Sequence, residues 1–372
     1  MIKTSFGVGR ISSDARACVS EAVKDFKDPK IIFFFSGEKD FCEYARLINE
    51  AFPKSISIGC STHDAIDCSG FEANVLKAVA IEDGVTCSAG VIEKANNFAL
   101  EYSDTVRRSL REVGETKNTV CIEFTRPYLR AEEYALMALN SVLLRNEIPI
   151  IGGSASNVSD GVSSEEAYVA LNGEIYPEGC VYALIHNING RILLRRENIY
   201  DPLTGRAFVA TKANSNTRTV MTYDRIPAAE VYASELNVPK ENIDKYFFDY
   251  PVGRQEGGEV FITAIQSAGS NGSLKHFARI HEGTELMVMK EGDFRNITSE
   301  TIKDVLNEIE NPSLVLIFNC FARTQLFERE NYTEEYSQKL ANAFHNIIGF
   351  SCLGEQLNTK NFNHTMLLAV FE

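Results

Sequence analysis

The chain has 372 residues, 44% of them hydrophobic and 24% charged, and a formal net charge of −14. That length suits two domains, and the composition is ordinary for a globular protein. The acidic balance and the lack of any basic run longer than two residues argue against a nucleic-acid partner, because a phosphate backbone repels such a surface. No apolar run approaches the roughly 18 residues of a membrane helix, and the first residues lack a signal-peptide core, so a cytoplasmic protein with no membrane partner is expected. The nine cysteines show no C-x-x-C spacing, and most of them read as small buried hydrophobes in a reducing compartment. Neither they nor the six histidines make a metal signature.

In chain order, a short strand over 4–10 precedes a helix over 14–26 with Ala17, Val19, Ala22 and Val23 on its apolar side. Ser12 and Ser13 are its candidate N-caps. Ile31–Ser36 reads as a buried strand, followed by a crossover helix over 41–52 that starts after Asp40 and stops before Pro53. Ile58-Gly-Cys-Ser61 and the apolar strand Val75–Ile81 complete this unit. A strand over 85–92 and a helix over 98–113, ended by Gly114, lead to a second copy. It comprises Thr119–Phe124, a loop with Arg126-Pro-Tyr128, a helix over 131–145, Ile151-Gly-Gly-Ser154 with Asn157, and the strand Glu166–Leu171. Asn187-Ile-Asn-Gly190, between two apolar runs, predicts a hairpin.

The Pro-, Gly-, Asn- and Thr-rich stretch 198–217 marks a domain junction and holds a strand over 207–211. Pro227 opens a helix over 228–236. Glu259–Ile265, Leu274–Ile280 and Glu285–Met289 predict three antiparallel strands, and a helix over 298–308 closes onto the final copy. That copy is the strand Leu314–Phe318, a polar loop with Asn319, Cys320 and Arg323, a helix over 333–345, the run Ile347–Glu355 and the strand Thr365–Phe371.

Each copy thus has a strand, a helix, an Ile-Gly-x-Ser run and a further strand. The glycine follows the first strand by roughly 24 to 29 residues, enough for one crossover helix and a parallel, right-handed connection. The predicted fold class is α/β: two domains, 1–200 and 201–372, built from repeated β-α-β-β units with mixed sheets flanked by helices. Gly59, Gly152 and Gly349 are expected at equivalent strand ends.

Ligands of parallel βαβ units gather at the carboxyl ends of the strands. The candidate set there is Cys320, Arg323, Ser351, Glu355 and Asn363, with Ser61, Ser154 and Arg126 in the earlier copies. Arg323 suits a carboxylate and Glu355 an ammonium group, together a zwitterion such as an amino acid. The same two residues also suit a mutual ion pair, and Cys320 a packed thiol. Gly349-Phe-Ser351-Cys-Leu-Gly354 misses the nucleophile-elbow pattern by one residue, and no phosphate loop is present. A hydrolase or transferase using Cys320 or Ser351 is the enzymatic alternative; His364 suits a base or a structural role.

Cys320-Phe-Ala-Arg323, Gly349-Phe-Ser-Cys-Leu-Gly-Glu355 and Asn363-His-Thr365 resemble the C-terminal part of the FIST family, a bacterial sensory module. Ile58-Gly-Cys-Ser-Thr62 and Ile151-Gly-Gly-Ser154 resemble its N-terminal part. The resemblance runs from about Lys30 to the end and departs from the family at His63-Asp64, where a small residue and Gly-Glu are usual. It implies a non-enzymatic sensor of a small ligand, such as an amino or organic acid. The alternative within the family is a haem-based nitric oxide sensor that regulates a histidine kinase in trans. No kinase, cyclase or chemotaxis domain follows, so output through a separate signalling protein is expected.

Overall fold

Runs of consecutive apolar residues become strands buried on both faces, the environment that helical crossovers create around parallel strands. The computed structural model describes residues 2–10, 14–37, 39–94, 99–127, 131–156 and 166–372. Its first unit is β1 (Lys3–Arg10), α1 (Ala15–Val23), β2 (Ile31–Ser36), α2 (Phe41–Ala51), β3 (Ile56–Ser61), the hairpin β4 (Ala65–Asp67) and β5 (Gly70–Glu72), and β6 (Val75–Asp83). Asp14 caps α1, accepting from the Arg16 amide at 2.9 Å. The expected caps Ser12 and Ser13 lie outside the described residues. Asp40 stands at the N-cap of α2 but makes no side-chain capping bond.

The second unit repeats this order: β7 (Val85–Ile92), α3 (Ser103–Val113), β8 (Thr119–Thr125), α4 (Ala131–Leu143), β9 (Ile150–Ser154), the hairpin β10 (Val169–Leu171) and β11 (Glu174–Ile175), and β12 (Cys180–Asn187). The strand expected from Glu166 begins only at Val169, and Glu166 takes φ 58°. Tyr128 and Asn157 lie outside the described residues.

The third unit starts with β13 (Ile192–Asn198). The hairpin predicted across Asn187–Gly190 does not form: β12 lies between β7 and β8, while β13 joins another sheet. The Asn187 side chain instead donates to the Arg191 and Glu372 carbonyls. Next comes an insertion of β14 (Tyr200–Pro202), β15 (Phe208–Asn214), β16 (Thr219–Tyr223), β17 (Ile226–Pro227), α5 (Ala228–Leu236), β18 (Val252–Glu256), β19 (Glu259–Thr263), β20 (Ile265–Ala268), β21 (Leu274–His276) and β22 (Glu285–Glu291). Its sheet is antiparallel in order β19-β18-β22-β15-β16-β21-β20, over a core that includes Phe208, Tyr223, Tyr232 and Val252. The three predicted antiparallel strands exist here, but β18 lies between β19 and β22, and β15 and β16 lie between β22 and β21. The third unit resumes with α6 (Phe294–Glu308), β23 (Leu314–Cys320), α7 (Phe321–Arg329), α8 (Thr333–Ala343), β24 (Ile347–Cys352), the hairpin β25 (Glu355–Leu357) and β26 (Lys360–Phe362), and β27 (Thr365–Phe371). The chain is thus mixed α/β, and by packing it divides in two. Met1–Arg196, Ser299–Lys360 and Met366–Glu372 form one compact unit; Glu197–Thr298 and Asn361–Thr365 form the other.

The three repeats give three six-stranded sheets: β1-β6-β2-β3-β10-β11, β7-β12-β8-β9-β25-β26 and β13-β27-β23-β24-β4-β5. Each contains one parallel pair, β2 with β3, β8 with β9, or β23 with β24. Each also borrows its edge hairpin from another repeat, so the exchange runs in a cycle. Phenylalanines from the three parallel pairs meet in one core: Phe35 stacks on Phe350 at 5.0 Å, and Phe124 meets Phe35 and Phe350 edge-on at 5.5 and 5.6 Å. The borrowed hairpin β4–β5 is also anchored to its own repeat. Lys77 of β6, fully buried, reaches Asp67 and Glu72, each at 2.8 Å. Burial alone would raise the Glu72 carboxyl, but hydrogen bonds from Lys77, Ser69 and Arg10 and the Lys77 charge hold it at about 2.

Gly59, Gly152 and Gly349 are equivalent, as expected, but they sit within β3, β9 and β24 and not in loops. In register they face Phe34, Glu123 and Ile317. A β-carbon there would lie 2.2 Å from the Phe34 carbonyl oxygen, 2.0 Å from that of Glu123 and 1.7 Å from that of Ile317. These contacts involve backbone, which a rotamer change cannot relieve. Gly349→Ala is therefore expected to destabilise the protein by about 3 kcal/mol or more, read as a lower urea midpoint with an unchanged slope. An unchanged midpoint would show that the strand pair yields more easily than this geometry implies.

Candidate functional site

The carboxyl ends of β23 and β24 carry most of the candidate residues. The polar loop expected after β23 is absent: Cys320 is the N-cap of α7, and Arg323 lies on the first turn of that helix. Its side chain is fully buried. Its Nε donates to Asn319 Oδ1 at 3.1 Å, and its guanidinium lies 5.1 Å from the centre of the Phe327 ring. Asn319 Nδ2 donates to Thr324 Oγ1 at 3.1 Å, and that hydroxyl is 3.0 Å from Ser351 Oγ. The Tyr336 hydroxyl from α8 stands 3.4 Å from Asn319 Oδ1 and 3.0 Å from Met366 Sδ.

The borrowed hairpins bring the other repeats to this point. The Ser351 carbonyl accepts from Thr62 Oγ1 at 3.0 Å and from Ser156 Oγ at 2.9 Å, and the Ser351 amide donates to the Asp64 carbonyl at 2.9 Å. Ser61 Oγ donates to the Ser156 carbonyl at 3.0 Å. Ser154 Oγ accepts from Gln356 Nε2 at 3.1 Å, and the Ser154 amide donates to the Gly354 carbonyl at 2.8 Å. Glu355 is buried as the first residue of β25, where its Oε1 accepts from Cys352 Sγ at 3.3 Å. Burial, then the Glu355 charge, pushes the Cys352 thiol well above its usual range, so it stays a protonated donor. Arg323 and Glu355 are thus both buried, in place of the open cleft their spacing implied.

Two predicted residues sit elsewhere. Arg126 follows β8, with its amide on the Gly179 carbonyl at 3.0 Å and its guanidinium on the Pro177 carbonyl. Asn363 belongs to the other compact unit, where Oδ1 accepts from the Ala264 amide at 3.1 Å and its own amide donates to the Ile262 carbonyl at 3.0 Å. His364 beside it takes φ 55° and meets the Tyr200 hydroxyl through Nδ1 at 2.7 Å.

Sequence reasoning missed Thr62, Ser156, Thr324, Gln356 and Glu123. Only Glu123 carried a signal, a charge inside an apolar strand. It is fully buried; Oε2 accepts from Thr125 Oγ1 and, at 3.3 Å, from Cys180 Sγ, while Oε1 has no partner among the described residues. Among the described residues no cluster of three or more His, Cys, Asp or Glu side chains could hold a metal. His63 is partly exposed, with Nδ1 2.9 Å from Asp64 Oδ2 and its ring edge-on to Phe321 at 5.1 Å. Grooves of about 550 and 160 Å³ elsewhere on the surface are lined by no histidine, so neither fits a haem held by one.

The architecture is that of a triplicated α/β protein with buried polar side chains at strand ends. A model of the FIST N domain matches residues 30–224, and a model of the FIST C domain matches residues 228–358. The chain belongs to the FIST family, whose domains are generally small-ligand sensory domains. No curated protein matches it. Among solved structures, PurLQS from Thermotoga maritima aligns over 100% of this chain and 72% of its own at 8% identity, with a TM-score of 0.20, too low to bear on fold.

Burial pushes the Glu123 carboxyl up to about 7; hydrogen bonds from Thr125 and Cys180 oppose this and the Glu132 charge adds to it. An unfolded glutamate titrates near 4.3. Between these values the folded state holds a proton that the unfolded state has lost, so this residue's contribution to stability falls as pH rises from about 4.3 to about 7. Glu123→Gln is expected to raise the melting temperature relative to wild type more at pH 8 than at pH 5. A pH-independent difference would show that Glu123 does not titrate in this range.

Proposed function

We propose that the chain is a cytoplasmic sensor that binds a small carboxylate-bearing ligand, an amino or organic acid, in its third repeat. It passes the signal to a separate protein such as a histidine kinase. The observation that carries this reading is Arg323: a fully buried arginine on the first helical turn at the carboxyl edge of a parallel pair, aimed by Asn319 and Phe327. A guanidinium in such surroundings favours a bidentate anion. In this reading Arg323 clamps the carboxylate, Glu355 accepts from an ammonium group, and Cys320 and Ser351 line the site. Ser61 and Ser154 hold the segments that enclose it, and Arg126 and Asn363 are candidate contacts of their own loops.

Binding fits these groups better than catalysis. The Ser351 hydroxyl is bonded to Thr324, which is no base at neutral pH. The test is a thermal-shift screen of amino acids and small organic acids on wild type, Arg323→Ala and Glu355→Gln. Ligand bound only by the native state raises the melting temperature of wild type. Arg323→Ala is expected to lose that response to every carboxylate, and Glu355→Gln to lose it only for amino acids. Arg323→Lys serves where the alanine variant fails to fold. Identical responses in all folded proteins would remove Arg323 from the binding site. A Soret band abolished by His63→Ala would replace this reading with the haem one.

A further inference from the structure

Three arginines converge on a groove at the ends of α3 and α4. Its volume is about 550 Å³, and its walls include Arg107, Leu110 and Arg111 of α3, Ser141 and Val142 of α4, and Arg145 in the turn that follows. That volume lies within the usual range of small-ligand sites. The sequence of α3 explains the placement. Val106, Ser109 and Val113 face inward, which leaves Arg107 and Arg111, four residues apart, on one outer face.

The charges are not accounted for by packing. Arg107 pairs with Asp104 of its own helix at 2.9 Å. Among the described residues Arg111 and Arg145 make no ion pair, although Asp and Glu outnumber Lys and Arg by 51 to 37 in the chain. Arg111 stands in the last turn of α3, where the helix end carries about half a negative charge, and the end of α4 offers Arg145 a similar partner. With Asp104 on Arg107, these helix ends bring the offset to roughly two of the three positive charges and leave the groove about singly cationic. Guanidinium forks match the oxygens of phosphate, and a multiply charged anion suits three of them better than one carboxylate does. Leu110 and Val142 supply an apolar wall for the rest of such a molecule.

We propose that this groove binds a phosphate-bearing small molecule, with Arg107, Arg111 and Arg145 contacting the phosphate oxygens. It is a second site, and its test does not depend on Arg323. Full-length protein is titrated calorimetrically with inorganic phosphate, pyrophosphate and ATP, with citrate as a polycarboxylate control, at low and moderate salt. Pyrophosphate and ATP are expected to bind, more weakly as salt rises. Arg111→Gln with Arg145→Gln is expected to lower affinity about tenfold or more. Lys24→Gln with Lys54→Gln, the same charge change at exposed positions outside the groove, is expected to leave affinity unchanged. Should the double glutamine variant lose its unfolding transition, Arg111→Lys with Arg145→Lys is used; it keeps the charge, loses the fork, and is expected to bind more weakly. No heat from any phosphate probe overturns the proposal, as does citrate binding as tightly as pyrophosphate or an arginine variant binding like wild type. Sedimentation with phosphatidylglycerol vesicles in the absence of binding to free phosphates would assign the anion to a membrane, and would also overturn it.

Discussion

At three equivalent points of this chain a carbonyl oxygen occupies the space where a β-carbon would be. Gly59, Gly152 and Gly349 allow their strands to approach Phe34, Glu123 and Ile317 closely, and the parallel pairs depend on that approach. The pairs in turn place Phe35, Phe124 and Phe350 where they meet in one core. They also set the strand ends at which Ser61, Ser154 and Ser351 receive segments from other repeats.

The repetition separates packing from chemistry. Glycine and serine recur in all three repeats because all three face the same steric and hydrogen-bonding demands. The groups around them do not recur. Register makes Glu355 the counterpart of Ala65 and Val169, opposite Gly153, Phe350 and Cys60 respectively. Asn319 is likewise the counterpart of Ser36 and Thr125. A need shared by three sheets cannot account for a carboxylate and an arginine found at these positions in one repeat only. The departure at His63-Asp64 fits this account, since the first repeat lacks a carboxylate at Ala65.

The repeated strands and crossover helices were legible because apolar runs and the loops that end them are local features of sequence. The borrowed hairpins were not. Ala65–Asp67 and Glu355–Leu357 are three residues each, and their partners, Ile348–Phe350 and Ile151–Gly153, lie hundreds of positions away. The turn after Asn187 was readable, but local signals cannot say that its two strands leave for different sheets. Arg323 was read correctly as a polar residue beyond a strand and wrongly as part of a loop, because Cys320 begins α7 without a capping side chain. Thr62, Ser156 and Thr324 gained importance only from the contacts that the exchange of hairpins creates.

The cyclic exchange has a bearing on how the chain may be divided. The sheet of the second repeat ends at β9 unless Glu355–Phe362 is supplied from the far end of the sequence, and the sheet of the third repeat needs Ala65–Glu72 from near the beginning. A fragment cut between the two family matches would leave β9 with a row of unpaired amides and carbonyls along one side. Such an edge recruits strands from other molecules. Separate expression of the halves would therefore favour aggregation, whereas co-expression lets each half complete the sheets of the other, as in split-protein complementation.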